Sequence, residues 1–273
     1  MNAMELQELY HLIGLQPEVI GQLECAAREI PWEQTAPYLE RLLDRETAPA
    51  AYRELNALLS DGPGHFKLLF CYLECARRAY DRYQDRHIPD QIYTDTMRCF
   101  PRFLRECGQM YFDRGWWSWR QTSLSLFRIG ALEYEFLPYE NRPALALHIP
   151  SDAQLTPEAV DFSLAQAESF FHTCFPHYRS ECYTCDSWLL SPRLRPLLNR
   201  NSNILAFQDR FCILRENRED QEFIEHLFRR PRDTAYADLP AATSLQRQVK
   251  TLLLLGGTVG CAFGALNPVA HPT

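Results

Sequence analysis

ALEYEFLPYENRPALALHIPSDAQLTPEAV, residues 131–160, is the stretch that decides the fold. Leu132, Tyr134 and Phe136 alternate with Glu133 and Glu135, which predicts a strand with one apolar face and one polar, solvated face. PALALHIP, from Pro143, follows a turn at residues 140–142 and reads as the hairpin partner of that strand. Thr156 then caps a helix with Pro157 in its first turn, and Glu158 suits the positive helix end. A sheet-containing half therefore begins here.

Upstream the pattern is helical. From Met4 to about Cys107 apolar residues recur at helical spacing, as in Leu6, Leu9, Tyr10 and Ile13, then Val19, Ile20, Leu23 and Ala27. Breaks fall at Gln16-Pro17, Ile30-Pro31, Ala48-Pro49 and Asp61-Gly62-Pro63-Gly64, and the short connections imply antiparallel neighbours in a bundle. Helices are expected over residues 66–86, again from Ile88 with Pro89 in the first turn and Pro101 bending or ending it, and over residues 116–128.

Downstream, strands are expected near residues 181–189, 211–215 and 259–266, with short helices near 192–198 and Ile204. Residues 220–229 form an acidic-to-basic helix in this reading, and TSLQRQVKTLLLL forms another that stops at Gly256-Gly257. The fold class is α+β: a helical domain over residues 1–110 and a sheet domain over residues 111–273, divided by a change of periodicity near Met110.

With 273 residues and 46% hydrophobic content the chain can build two cores, and 23% charged residues exclude a disordered protein. A net charge of -7 argues against a nucleic-acid partner, because phosphate neutralisation needs a basic face. The start MNAMELQELY lacks a basic-then-apolar leader, so the ten cysteines read as reduced, mostly buried thiols of a cytoplasmic protein. VKTLLLLGGTVGCAFGAL is broken by glycines and reads as helix then strand, so no membrane partner is expected. Cys182 and Cys185, near His172 and His177, lack a second paired spacing, so no metal is expected; Cys71 and Cys75 sit one helical turn apart on a buried face.

Three blocks carry a resemblance. WWSWRQTSLSLFRIGALEYE from Trp116, LHIPSDAQLTPEAV from Leu147, and CDSWLLSPRL from Cys185 with SNILAFQDRF from Ser202 together resemble the bacterial acyltransferase domain-containing proteins. In that family a helical N-acyltransferase N-terminal domain precedes a GNAT-like domain, and the likeness covers nearly the whole chain. It implies a mixed, largely antiparallel sheet flanked by helices. It also implies transfer of an acyl group, acetyl first among them, from acetyl-CoA or another acyl-CoA to an amine of a small molecule or peptide.

On this likeness PALALHIP is the central strand and TPEAVDFSLAQA the helix after it. In GNAT enzymes a glycine-rich loop at that junction gives backbone amides to the CoA pyrophosphate. Here the loop is Ile149-Pro150-Ser151-Asp152-Ala153-Gln154, without glycine; proline removes a donor and Asp152 repels phosphate, although the helix start remains.

The candidate site residues follow from that frame. His148, at the strand end, suits a general base toward an amine, and Glu135 on the neighbouring strand is the alternative. Ser151, Thr156, Ser187 and Asn203 are the candidate cofactor-binding residues, with the cleft between the strand ending at His148 and the strand holding Ser187. Each has a plainer reading: a structural histidine, a solvated glutamate, and Ser202-Asn203 as a helix cap. Arg210 suits a phosphate, and Trp116, Trp117 and Trp119 suit a sealed interface. Ser187 and Cys185 lack the glycines and local partner of a nucleophile. Two function classes stay open: an acyltransferase, or a non-catalytic binding or interaction module that kept the fold without CoA chemistry. Oligomeric state is not legible in the sequence.

Overall fold

The computed structural model describes residues 4–60, 62, 64–108 and 110–266, so Asp61 and Pro63 of the expected helix break lie outside the described residues. It divides into two compact units, Met1–Ile129 and Gly130–Thr273.

The first unit holds α1 (Leu6–Ile13), α2 (Pro17–Ala27), α3 (Trp32–Leu42), α4 (Ala48–Leu59), α5 (Phe66–Asp85), α6 (Asp90–Met97), α7 (Cys99–Glu106), α8 (Gly115–Thr122) and the strand β1 (Leu126–Ile129). Helix α5 has no internal glycine or proline and is its axis. Leu69, Tyr72, Leu73, Cys75, Ala76 and Tyr83 are fully buried, so the helix is apolar on more than one stripe and is surrounded by α1, α2, α3, α4 and α8. Two buried phenols have their polar ends satisfied: Tyr72 donates to the Gly115 carbonyl at 2.6 Å and Tyr93 to the Ala76 carbonyl at 3.0 Å. At Gly115 a Cβ would lie 2.6 Å from Leu68 and 2.8 Å from Tyr52, so only glycine lets α8 start this close to its neighbours.

Three expectations for this half change. The stretch 116–128 is not one helix: α8 ends at Thr122, Leu124 turns left-handed (φ 57°), and β1 begins at Leu126. Ser123 and Ser125, whose hydroxyls bond each other at 2.8 Å, supply the local competition that ends the helix. Pro89 caps α6 from outside rather than sitting in its first turn, and Pro101 lies in the first turn of α7 rather than bending a longer helix.

The second unit holds β2 (Leu132–Phe136), β3 (Ala144–His148), α9 (Pro157–Cys174), β4 (Cys182–Ser187), α10 (Asn203–Gln208), β5 (Phe211–Asn217), α11 (Ser244–Leu254) and β6 (Cys261–Leu266). Its strands run in the order β2-β3-β4-β6-β5. Among the described residues of this unit, β3 and β4 pair in parallel and the β2–β3, β4–β6 and β5–β6 pairs are antiparallel. The fold is α+β, a helical unit followed by a mixed, largely antiparallel sheet with flanking helices.

The expected hairpin is present. Glu140 and Asn141 both adopt positive φ (49° and 62°) between the bridged Tyr139 and Arg142, the twist that a two-residue hairpin turn requires. Its register pairs Tyr134 with Leu147 and Phe136 with Leu145, which puts these apolar side chains on one face. Phe171 of α9 meets that face, its ring 6.1 Å from Tyr134 and 5.3 Å from Phe136.

The other face of β2 is not solvated as the alternation predicted. Glu133 and Glu135 are only 3% and 5% exposed, and His148 of the next strand takes up Glu135. Residues 220–229 also differ from the expected α-helix. Ile224–Phe228 is a π-helical turn closed by a left-handed Arg229, and the wider turn lets Phe223, Ile224 and Phe228 enter one apolar cluster with Val249 and Leu253. The ten cysteines are free, but four are buried and Cys25 and Cys212 are exposed, so most are not core thiols. No described helix is long and apolar enough to cross a membrane.

Candidate functional site

The site is built where β3 ends. Pairing between β3 and β4 runs from Ala144 with Cys182 to Leu147 with Cys185, and beyond that level β4 continues only against β6. His148 is thus the last residue of β3, and Asp186 and Ser187 carry β4 onward without it. The chain leaves β3 through the loop at 149–156 and enters α9.

Cross-strand pairing of Glu133 with His148 and Glu135 with Ala146 places both carboxylates and the imidazole on one face. His148 Nε2 lies 2.9 Å from Glu135 Oε2. At this distance one proton is shared between the two atoms, and with an ionised carboxylate, which only accepts, Nε2 is the donor. The two residues taken separately as alternative bases are therefore one hydrogen-bonded pair.

The four candidate cofactor residues divide. Thr156 caps α9, its hydroxyl accepting from the Ala159 amide at 3.3 Å. Ser187 accepts from the Leu189 amide at 3.1 Å and starts a one-turn helix; its strand position puts it on the α9 side of the sheet, opposite His148. Ser202 is the cap of α10, and Asn203 is its exposed first residue. Ser151 lies exposed in the loop. The β3 end, the loop and the β4 end thus share one end of the sheet, but the side chains do not converge on a single point.

The loop retains donors that glycine would otherwise provide. Pro150 has no amide and Ala153 spends its own on the Pro150 carbonyl at 2.9 Å. Among the described residues, the backbone amides of Gln154, Leu155, Thr156 and Glu158 have no protein acceptor. They run straight into the positive end of an 18-residue helix. Arg210 stands over that first turn, donating to the Pro157 carbonyl at 3.2 Å and pairing with Asp161. The Arg210 guanidinium holds the Asp161 carboxyl below its ordinary range. Sequence reasoning singled out Arg210 but missed its partners, since nothing in local spacing links residues this far apart.

Two family models match the chain. One, an N-acyltransferase N-terminal domain, covers residues 4–124, and the other, a GNAT-like C-terminal domain, covers residues 126–266, more than half of the chain. The chain belongs to the family of N-acyltransferases with a GNAT-like C-terminal domain. No curated protein matches its sequence. Among solved structures it is similar to an acyltransferase in complex with decanoyl-CoA and teicoplanin, with a TM-score of 0.70 and 20% identity over 96% of this chain and 99% of that one. An acyltransferase in complex with CoA and 10C-teicoplanin gives 0.70 and 20% over 97% and 99%, and one with decanoyl-CoA gives 0.68 and 21% over 96% and 99%. At this identity the likeness is one of fold.

The cysteine pair of the sequence dissolves as a ligand set. Cys182 and Cys185 are three residues apart on a strand and face opposite sides, and Cys185 is buried with its thiol pushed up by desolvation. Trp116 is 47% exposed, while Arg120 lies over the rings of Trp117 and Trp119 at 4.1 and 4.5 Å.

Proposed function

We propose that the chain transfers an acyl group from an acyl-CoA thioester to an amine on a small-molecule acceptor. One observation carries the reading: the Glu135–His148 pair stands where β3 and β4 part, at the end of the sheet from which the chain runs into a helix start with unspent amides. The amides of Gln154, Leu155, Thr156 and Glu158, with Arg210 above them, suit the donor's pyrophosphate without a glycine loop. The amine lone pair forms the new C–N bond at the thioester carbonyl while His148 Nδ1 takes the amine proton, and Glu135 stabilises the imidazolium. Collapse breaks the C–S bond, and the proton returns from His148 to the departing sulfur, leaving amide, CoA thiol and neutral histidine.

Acetyl is the donor that the sequence resemblance puts first. The similar acyltransferases are described with decanoyl- and octanoyl-CoA, which supports a longer chain, and one is described with teicoplanin, which supports an amine acceptor of that class. Calorimetric titration with acetyl-CoA, decanoyl-CoA and CoA tests the donor, and thiol release with a panel of amines tests the transfer. Saturable one-site binding weakened by Arg210→Ala is expected. Absence of binding at millimolar donor, in protein shown to be folded, would favour the binding module, for which Pro150 and Asp152 are the supporting features.

A further inference from the structure

The unit Gly130–Thr273 carries a surface that acyl transfer does not use. Helix α11 ends in two exposed leucines, Leu254 at 57% and Leu255 at 81%, beside a shallow hollow of about 350 Å³ lined by Leu197, Leu252 and Leu255 with Arg247 at its edge. Arg247, Thr251 and Leu255 are successive turns of one exposed stripe, so at ~1.5 Å per residue the arginine stands about 12 Å behind the leucine tip.

The tip is finished in a way that tolerates loss of water. The amides of Leu255, Gly256 and Gly257 return to the carbonyls of Thr251, Leu253 and Leu252 at 3.2, 3.0 and 2.9 Å, so the helix end carries its own backbone partners.

Basic residues outnumber acidic ones in the two segments that line this hollow. In a protein of net charge -7, residues 187–208 and 239–266 contain no Asp or Glu and hold Arg193, Arg195, Arg200, Arg247 and Lys250. Of these, Arg195 is paired with the adjoining Asp209 at 2.8 Å, and Asp238 lies in the turn that packs on α11. Arg247 and Lys250 donate to backbone carbonyls and have no carboxylate partner among the described residues, so their charge is not cancelled. We propose that the α11 tip docks peripherally on an anionic lipid surface, leucines in the acyl boundary and Arg247 at the level of the phosphates. This interaction is distinct from a membrane span and independent of the acyl-transfer reading.

The test is flotation of the full chain with vesicles of phosphatidylcholine alone and of phosphatidylcholine with 30% phosphatidylglycerol, at low and high salt. Co-flotation with the anionic vesicles only, reduced at least fivefold by 0.5 M salt, by Arg247→Glu and by Leu254→Ser/Leu255→Ser, is the expected result. Both substitutions are on exposed positions, and unchanged thermal unfolding verifies the fold. Absence of flotation with either vesicle overturns the proposal. So does concentration-dependent self-association lost in the leucine variant, which would give the face to a second copy, or binding that the variants leave unchanged.

Discussion

The two faces of the β2–β3 hairpin share a backbone and differ in everything else. Toward α9, Tyr134, Phe136, Leu145 and Leu147 form an apolar layer under Phe171. On the opposite side the same strands carry Glu133, Glu135 and His148. Burying carboxylates is costly where apolar residues would pack at no such cost, so the second face lowers stability relative to an apolar one. Alternation along the pleat thus separates what holds the sheet from what can move a proton, residue by residue.

Substitutions at adjacent positions should accordingly register in different assays. The largest effect expected is Phe171→Ala, a loss of about 3–5 kcal/mol in urea unfolding because the aromatic layer is left with a cavity; a loss below ~1 kcal/mol would show that the α9 face is not the anchor. His148→Ala should cut acyl transfer about 10²–10⁴-fold, with a smaller loss of stability than Phe171→Ala, the loss arising because buried Glu135 is deprived of one partner. Equal damage to stability would erase the contrast between faces. Glu135→Gln should lower the rate less, and the double substitution should cost little beyond His148→Ala alone, since a pair that acts as a unit is not additive. Tyr134→Phe removes a buried hydroxyl that lies 2.8 Å from Ser163 Oγ and should cost about 1 kcal/mol in stability with no change in rate.

The smallest effect lies in the other unit and sharpens the contrast by pH. Burial pushes Glu74 upward, but Arg77 and Arg78, at 2.6 and 3.0 Å, outweigh it and hold the carboxyl below its ordinary value of 4.5. A lowered folded value means the stabilisation is complete above 4.5 and is lost as pH falls through the folded value. Glu74→Gln should therefore flatten the acid limb of the stability profile below about pH 4.5, a shift measurable by denaturant titration at pH 3 to 6.

Much of this was legible in the sequence, and the exceptions share a cause. The helical half could be read because apolar spacing is a local signal, as at Leu9, Tyr10 and Ile13, all buried. The hairpin and the Thr156 cap were legible for the same reason. The meeting of Glu135 with His148 was within reach, because the register set by the turn at Glu140 and Asn141 puts both on one side; the signal missed was that count across the turn. The box joining Thr243 and Gln246 at the start of α11 had a four-residue signature that was also passed over. The burial of Glu133, the π-helical turn at Ile224–Phe228 and the pairing of Arg210 with Asp161 depend on tertiary neighbours, and no local spacing announces them. The surviving helix start was legible, but the unspent amides of Gln154, Leu155, Thr156 and Glu158 were passed over because the loop has no glycine.

Ser163 deserves a last consequence. On the apolar side of α9 its hydroxyl accepts from the Leu132 amide at 3.3 Å and meets Tyr134, while its Cβ stands so near Gly130 that a methyl there would lie at 3.3 Å. Leu132 opens the strand that bears Glu135, and Ser163 lies two turns along the helix whose first amides are unspent. One hydroxyl therefore acts as the index mark between two scales, setting how far the helix has slid when the strand is read. Erasing it with Ser163→Ala leaves both scales intact and lets them drift against each other.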